Sequence, residues 1–263
     1  MQTVRSGRVD LLAPLLADPT RACLLCDCDG TLAPIVPDPS AAAPLPESVA
    51  ALHHLAGRLG LVGVVSGRPA AWLHDRFGDG LVLSGLYGLE EVAADGAGEV
   101  VELPEAEPWR QVVAEAAEAA DRAAPSGVVV ERKGLSVTLH YRSAPTEQTW
   151  VERFTAEQAT RRGLVASVAK SSVELRPPLR VDKGTAVRRL ADGFATVAFL
   201  GDDAGDLPAF AVLDDLAAAG VRTLKLAVAS SEMPEAVGAQ ADDLVEGPDE
   251  VARLLSGLAA ALA

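Results

Sequence analysis

Residues 24 to 32 read LLCDCDGTL: an apolar run that stops on two aspartates, Asp27 and Asp29, with Gly30 and Thr31 directly behind them. The run ahead, ACLLC, is short and continuous, as expected of a strand covered on both faces. In open α/β sheets, ligands gather beyond the carboxyl ends of the strands. Strand-like alternation puts Asp27 and Asp29 on the same side. Two carboxylates that close repel unless a cation lies between them or one takes a proton. A hard divalent ion such as Mg2+ accepts carboxylates, carbonyls and phosphate oxygens. The pair therefore suits an acyl-phosphate chemistry in which Asp27 attacks phosphorus. Asp29 would protonate the leaving oxygen and later deprotonate water. An N-cap or Asx turn after a strand is the competing account.

Outward from this stretch the chain alternates strand and helix. Residues 47 to 59, ESVAALHHLAGRL, form an amphipathic pattern. LVGVVSG (61–67) is a second buried strand, residues 69 to 77 begin a helix, and LVLSG (81–85) is a third strand. The pattern resumes with a helix in DKGTAVRRLADG (182–193), a strand in ATVAFLGDD (195–203) and a helix in LPAFAVLDDLAA (207–218). RTLKLAV (222–228) is a further strand, and PDEVARLLSGLAAALA (248–263) a closing helix. Such alternation predicts an α/β fold with a doubly wound parallel sheet.

The middle breaks the pattern. PWRQVVAEAAEAADRAA (108–124) is an Ala/Glu-rich helix with proline at its start. GVVVERKG and LSVTLHYR meet tightly around Gly134, a hairpin signal. A helix over 146–160 and two strand-like runs, LVASVA and SVELRP, follow. This predicts a small α+β cap, residues 104–178, inserted into a discontinuous core of 1–103 and 179–263.

Three further strand or helix ends carry polar groups. Ser66, Gly67 and Arg68 offer a hydroxyl and backbone N–H groups at a helix start, which suits a phosphate oxygen. For SGR alone, a plain helix cap is the favoured account. Lys183 opens a helix against the macrodipole, so it wants an anion; a solvated lysine competes. GDDAGD crowds Asp202, Asp203 and Asp206 behind the apolar VAFL. Three such carboxylates need a cation or a strong network to coexist.

Composition limits the rest. Of 263 residues 49% are hydrophobic and only 4% aromatic, so the core is aliphatic. A net charge of −14 argues against nucleic acid and anionic membrane as partners. Cys23, Cys26 and Cys28 lack a full zinc ligand set, and alternation points Cys23 away from the other two. Small buried side chains in a reducing compartment account for them. The N-terminal stretch, with Arg5 and Arg8 and then an apolar run broken by Pro14 and Asp18, reads as neither signal peptide nor membrane span. A cytoplasmic protein is expected.

DCDGT, the serine of SGR, the lysine of DKG and GDDAGD, in that order, resemble the four motifs of the haloacid-dehalogenase-like phosphatases. The resemblance implies Asp27 as nucleophile and metal ligand, and Asp29 as acid/base with its carbonyl on the metal. Ser66, Gly67 and Lys183 would hold the phosphoryl group. Asp202 would complete the Mg2+ site, with Asp203 and Asp206 beside it.

In the inserted module, Glu131 and Lys133, His140 and Arg142, and Glu174 and Arg176 form pairs two residues apart, each on one strand face. Directional hydrogen bonds to sugar hydroxyls need such groups. A half-exposed sheet with cross-strand ion pairs accounts for them equally well. Longer stretches are similar to the trehalose-6-phosphate phosphatases: ERKGLSVTLHYR (131–142), VELRPPLRVDKG (173–184), SGLYGLEEV (84–92) and DCDGTLAPIVPDPSAA (27–42). That resemblance runs from about residue 22 to the end of the chain. It implies hydrolysis of trehalose 6-phosphate, with Arg68, Glu131, Lys133, His140, Arg142 and Glu174 contacting the sugar and a functional link to a trehalose-6-phosphate synthase. Two departures stand out: Cys28 replaces the usual aromatic, and Gly205 and Leu207 replace the usual threonine and glutamate. Sucrose 6-phosphate or mannosyl-phosphoglycerate as substrate, or a sensor without chemistry, are the alternatives.

Overall fold

A computed structural model describes residues 9–36, 39–169, 171–231 and 233–263. Arg5 and Arg8, and the Pro37–Asp38 part of the first motif stretch, lie outside these. The chain divides into two compact units, 1–100 with 181–263, and 101–180.

In the first unit the early strands are β1 (Ala22–Cys26), β2 (Leu61–Val65), β3 (Val82–Gly85) and β4 (Glu90–Val92), with helices α1 (Pro46–Ala56) and α2 (Ala70–Phe77). The chain then passes through the short edge strand β5 (Val101–Glu102) into the second unit. There, α3 (Arg110–Ala123), β6 (Val129–Arg132), β7 (Val137–His140), α4 (Gln148–Arg162), β8 (Val165–Ala169) and β9 (Ser172–Arg176) follow in order. The first unit is completed by α5 (Lys183–Leu190), β10 (Thr196–Gly201), α6 (Leu207–Ala218), β11 (Arg222–Ala229), α7 (Glu235–Gln240), β12 (Asp243–Glu246) and α8 (Gly247–Ala261).

The large sheet runs β12-β11-β10-β1-β2-β3-β4-β5. Its six central and outer strands from β12 to β3 are parallel, and β4 pairs antiparallel to β3. The doubly wound parallel sheet is thus present, with an antiparallel edge that the sequence pattern does not announce. β4 reads EEV and β12 reads DLVE, too short and too charged to stand out as strands.

β1 shows why the apolar run is continuous. Leu24, Cys26 and Cys28 enter one aliphatic cluster with α1, α2 and α8; Cys23 and Leu25 enter the other, with α5, α6 and α7. All five residues of β1 are fully buried. At about 25 cal/mol per Å2 of apolar surface, each buried leucine side chain contributes about 2 kcal/mol. The three cysteines are free thiols, and burial pushes Cys23 up to about 12, which leaves it inert. Cys28 sits in the aliphatic cluster, so a small apolar side chain serves there.

The order of the strands fixes where chemistry is placed. From β1 the chain winds outward through β2 and β3, and later through β10, β11 and β12 on the other side. β1 and β10 therefore flank the point where the winding reverses, the place where open α/β sheets bind their ligands.

The second unit has an antiparallel sheet, β6-β7-β9-β8. Val137, Leu139, Val173 and Leu175 pack with α3 and α4 residues in a separate core. Gly134 turns the β6–β7 hairpin at φ +77°, a value that favours glycine. One rung of the other face runs Glu131, Thr138, Glu174, Ser167 across the four strands.

Candidate active site

Asp27 is the first residue past β1, and its N–H still donates to Leu200 O at 2.8 Å, so the carboxylate is delivered at the strand end. The chain then folds back: Leu32 and Ala33 both donate to Cys28 O, and Gly30 N–H donates to Ala33 O. Gly30 takes φ +83°, and a Cβ there would sit 2.1 Å from Asp202 Oδ2. Only glycine lets the two strand-end turns approach so closely. Thr31 Oγ1 donates to Asp202 Oδ1 at 3.3 Å across the same gap.

Lys183 enters from α5, whose start is fixed by a reciprocal cap between Asp182 and Thr185. It is buried, not solvated. Its ammonium lies 2.8 Å from Asp27 Oδ1 and 2.7 Å from Asp206 Oδ1, with Asp203 at 3.9 Å. Burial alone would lower its pKa, but Asp206, Asp27 and Asp203 together push it well above its ordinary value. It is a fixed cation.

Asp206 acts as a brace. Its Oδ2 accepts the backbone N–H groups of Asp202 (2.9 Å) and Asp203 (3.1 Å), while Oδ1 accepts from Lys183. It is wholly buried, and a Cβ on Gly201 would lie 2.4 Å from its carboxyl carbon. Asp206 thereby sets the loop that aims Asp202 at Asp27. Asp203, by contrast, is exposed and caps Gly205 N–H.

The electrostatics favour a cation. Burial pushes Asp27 well above the carboxylate range, Lys183 pulls it back, and Asp206, Asp202 and Asp203 push it further up. Asp202 is pushed up to about 7, first by burial and then by Asp206 and Asp203, although a hydrogen bond with Asp27 works the other way. Two buried carboxyl groups in such contact need a proton or a cation between them. Ligand atoms of Asp27, Asp202 and Asp206 lie within 4.8 Å of one another, an all-oxygen donor set. With both oxygens of Asp206 engaged, Asp27 and Asp202 are the side chains that fit a hard ion such as Mg2+.

Ser66 follows β2 directly and is buried; its Oγ accepts Arg68 N–H at 3.2 Å. The Arg68 side chain reaches Asp29 in a bidentate pair, Nε–Oδ2 2.7 Å and Nη2–Oδ1 2.9 Å. It also lies over Trp72, 4.6 Å from the ring centroid, with Arg76 3.7 Å from the same centroid. The resemblance had set Arg68 among the sugar contacts; here its guanidinium holds the second aspartate. Asp29, two residues beyond Asp27, is thus held by Arg68 through both carboxylate oxygens.

In the second unit, Glu131 meets His140 at 2.8 Å and Lys133 at 3.6 Å, and Lys133 lies 3.5 Å from Glu174. Ser136 Oγ donates to Glu174 at 2.7 Å. Thr138 Oγ1 is buried between the two carboxylates' strands with no hydrogen-bond partner. The sequence pattern does not single out Ser136 or Thr138, though the register sets Thr138 opposite Glu174, with Ser136 two residues before it. Lys133 keeps to the face of Glu131 because its N–H donates to Ser136 O, which prolongs the ladder past β6. Arg142 differs. β7 ends at His140, Tyr141 N–H still donates to Ser171 O, and the turn closed by Ala144 N–H on Tyr141 O leaves Arg142 exposed.

A trehalose-phosphatase family model matches residues 25–243. The chain belongs to the trehalose-phosphatase family. Among its relatives is a trehalose-phosphate phosphatase of Mycolicibacterium paratuberculosis, 37% identical over 195 residues, covering 70% of this chain and 49% of that protein. One from Mycobacterium avium is 35% identical over 198 residues, with 70% and 49% covered. The chain spans about half the length of the curated relatives it matches. The C-terminal domain of a C. albicans trehalose-6-phosphate phosphatase superposes with a TM-score of 0.78 at 24% identity, covering 99% of this chain and 100% of that one. That likeness shows a shared fold. No helix among the described residues is long and apolar enough to cross a membrane.

Proposed function

We propose that this chain hydrolyses trehalose 6-phosphate to trehalose and inorganic phosphate, with Mg2+ and through a phosphoryl group carried on Asp27. The observation that carries the reading is the meeting of Asp27, Lys183 and Asp202 at the sheet's winding reversal, each within reach of the next. Ser66, the N–H groups behind it and Lys183 bind the phosphoryl oxygens. Asp27, the Asp29 carbonyl and Asp202 would hold Mg2+, which would supply positive charge against the phosphoryl group. An Asp27 oxygen forms a bond to phosphorus as the bond from phosphorus to the sugar O6 breaks. Asp29 gives its proton to that leaving oxygen. It then takes a proton from the water that attacks phosphorus, and Asp27 is released as a carboxylate. Arg68 donates to both Asp29 oxygens, so it has to release one of them before Asp29 can carry the proton it gives.

The inserted module is proposed as the sugar reader, with Glu131, Lys133, His140 and Glu174 as contacts and Arg142 as a candidate at the rim of that face. Three free thiols and a net charge of −14 suit a cytoplasmic setting and leave nucleic acid and membranes aside. A synthase that makes trehalose 6-phosphate would be the functional neighbour.

Phosphate release from trehalose 6-phosphate, glucose 6-phosphate and sucrose 6-phosphate tests the substrate. Turnover of the first alone, lost on chelation and restored by Mg2+, is the expected result. Equal turnover of sucrose 6-phosphate, or none of any ester, sinks the assignment. Glu131→Ala should raise KM for trehalose 6-phosphate about tenfold or more, the worth of a charged hydrogen bond, and leave p-nitrophenyl phosphate unchanged. Equal effects on both would remove Glu131 from sugar recognition.

A further inference from the structure

Between β3 and β4 the backbone enters the left-handed region three times running: Leu86 at φ 47°, Tyr87 at 61° and Gly88 at 105°. Gly88 adopts this freely. Leu86 and Tyr87 do not, because Cβ crowds the following carbonyl oxygen. Residues so held persist only where their surroundings over-determine them, and they cluster near functional sites.

The surroundings here are the two elements assigned to grip phosphate. Leu86 N–H donates to Arg68 O at 2.9 Å and Tyr87 N–H donates to Ser66 O at 3.0 Å. Ser66 N–H in turn donates to Ser84 O at 2.9 Å. Each end of the Ser66–Arg68 loop is thus pinned to the strained segment. The middle of that loop is pinned by the Tyr87 ring: a Cβ on Gly67 would lie 2.7 Å from Oη and 2.8 Å from Cζ. On the other side, a Cβ on Gly88 would lie 3.2 Å from Ala186 Cβ, in the first turn of the helix that begins with Lys183. Two carboxylates just beyond complete the tie. Glu90 accepts Ala70 N–H at 2.8 Å, at the start of α2, and Glu91 pairs with Arg189 of α5 at 2.5 Å.

We propose that Leu86–Gly88 is a clasp that sets the spacing between the Ser66–Gly67 loop and Lys183, with Tyr87 as its positioning residue. This rests on the phosphate-binding role proposed above for those elements. The ring acts as a wedge against Gly67, and the strained backbone delivers two N–H groups that a looser turn would send to water.

The test separates positioning from mere folding. Tyr87→Gly removes the ring and also relieves the φ strain, while keeping the N–H. Tyr87→Phe keeps the ring. Inorganic phosphate is titrated calorimetrically, with Mg2+, into the wild type and both variants, and thermal unfolding is recorded alongside. Tyr87→Gly should keep or raise Tm yet weaken phosphate binding about tenfold, as expected when a binding group shifts by a fraction of an ångström. KM for trehalose 6-phosphate and for p-nitrophenyl phosphate should rise together, because the phosphoryl grip is common to both. Tyr87→Phe should return phosphate affinity to within about threefold. Unchanged affinity in Tyr87→Gly, a fall in Tm that parallels the loss, failure of the phenylalanine to rescue, or no phosphate binding by the wild type each overturns the clasp. The phosphate titration reads it whichever ester is turned over.

Discussion

Asp27→Asn is expected to leave a folded protein with turnover reduced at least about ten-thousand-fold. Asparagine keeps the volume, and the backbone N–H to Leu200 O that delivers the side chain is untouched. What it lacks is a nucleophilic carboxylate. Lys183 retains Asp206 at 2.7 Å, so the buried cation is not orphaned. One of several crowded carboxyl groups is gone, so thermal stability without metal should change by no more than a few degrees. Asp29→Asn should fail differently. With p-nitrophenyl phosphate, whose leaving group needs little protonation, it should release one equivalent of p-nitrophenolate and then stall, because no base activates water. Mass spectrometry of the stalled protein should find the phosphoryl group on Asp27. A group found elsewhere, or steady turnover by either variant, removes the covalent reading.

Lys183→Met should be the most damaging single change to both stability and activity. The lysine side chain is 4% exposed and is the cation set among Asp27, Asp206 and Asp203. Removing one partner from a buried ion pair costs about 3–5 kcal/mol, since the charges left behind have lost their counter-ion. For a chain of this size that is a fall in Tm on the order of 10 °C. Turnover should vanish with it. Arg188 of the same helix is the control. Its pair with Asp215 is more than half exposed, so Arg188→Ala should cost about 1 kcal/mol or less. Equal losses at 183 and 188 would show that Lys183 is an ordinary helix residue. Arginine at 183 should not rescue, because a planar fork does not fit where a point charge meets carboxylates on different loops.

The parallel sheet and the clustering of Asp27, Lys183 and Asp202 were legible because each rests on a local signal. An apolar run ending in acid marks a strand end, and a lysine at a helix start asks for an anion. The lysine's partners were less legible: the sequence suggested phosphate, and the fold also supplies Asp206. That brace depends on a turn within GDDAGD whose geometry no composition reveals. Arg68 on Asp29 joins residues 39 apart, and Thr31 on Asp202 joins residues 171 apart. Pairings at such distance follow from topology, not from pattern. Period-two reasoning held on the second unit's sheet as far as the strands lasted. Arg142 lies beyond the end of β7, on the turn that follows.

The pairing of β1 with β10 has a bearing on biosynthesis. Cys26 lies beside Leu200 in the ladder, with the whole second unit encoded between them. A growing polypeptide exposes Asp27 early, yet nothing can set Asp202 or Lys183 against it until translation has passed them. The smaller unit, whose contacts are contiguous in the chain, is free to fold on the ribosome meanwhile. A product that ends before residue 183 therefore contains Asp27 without Lys183 or Asp202 beside it.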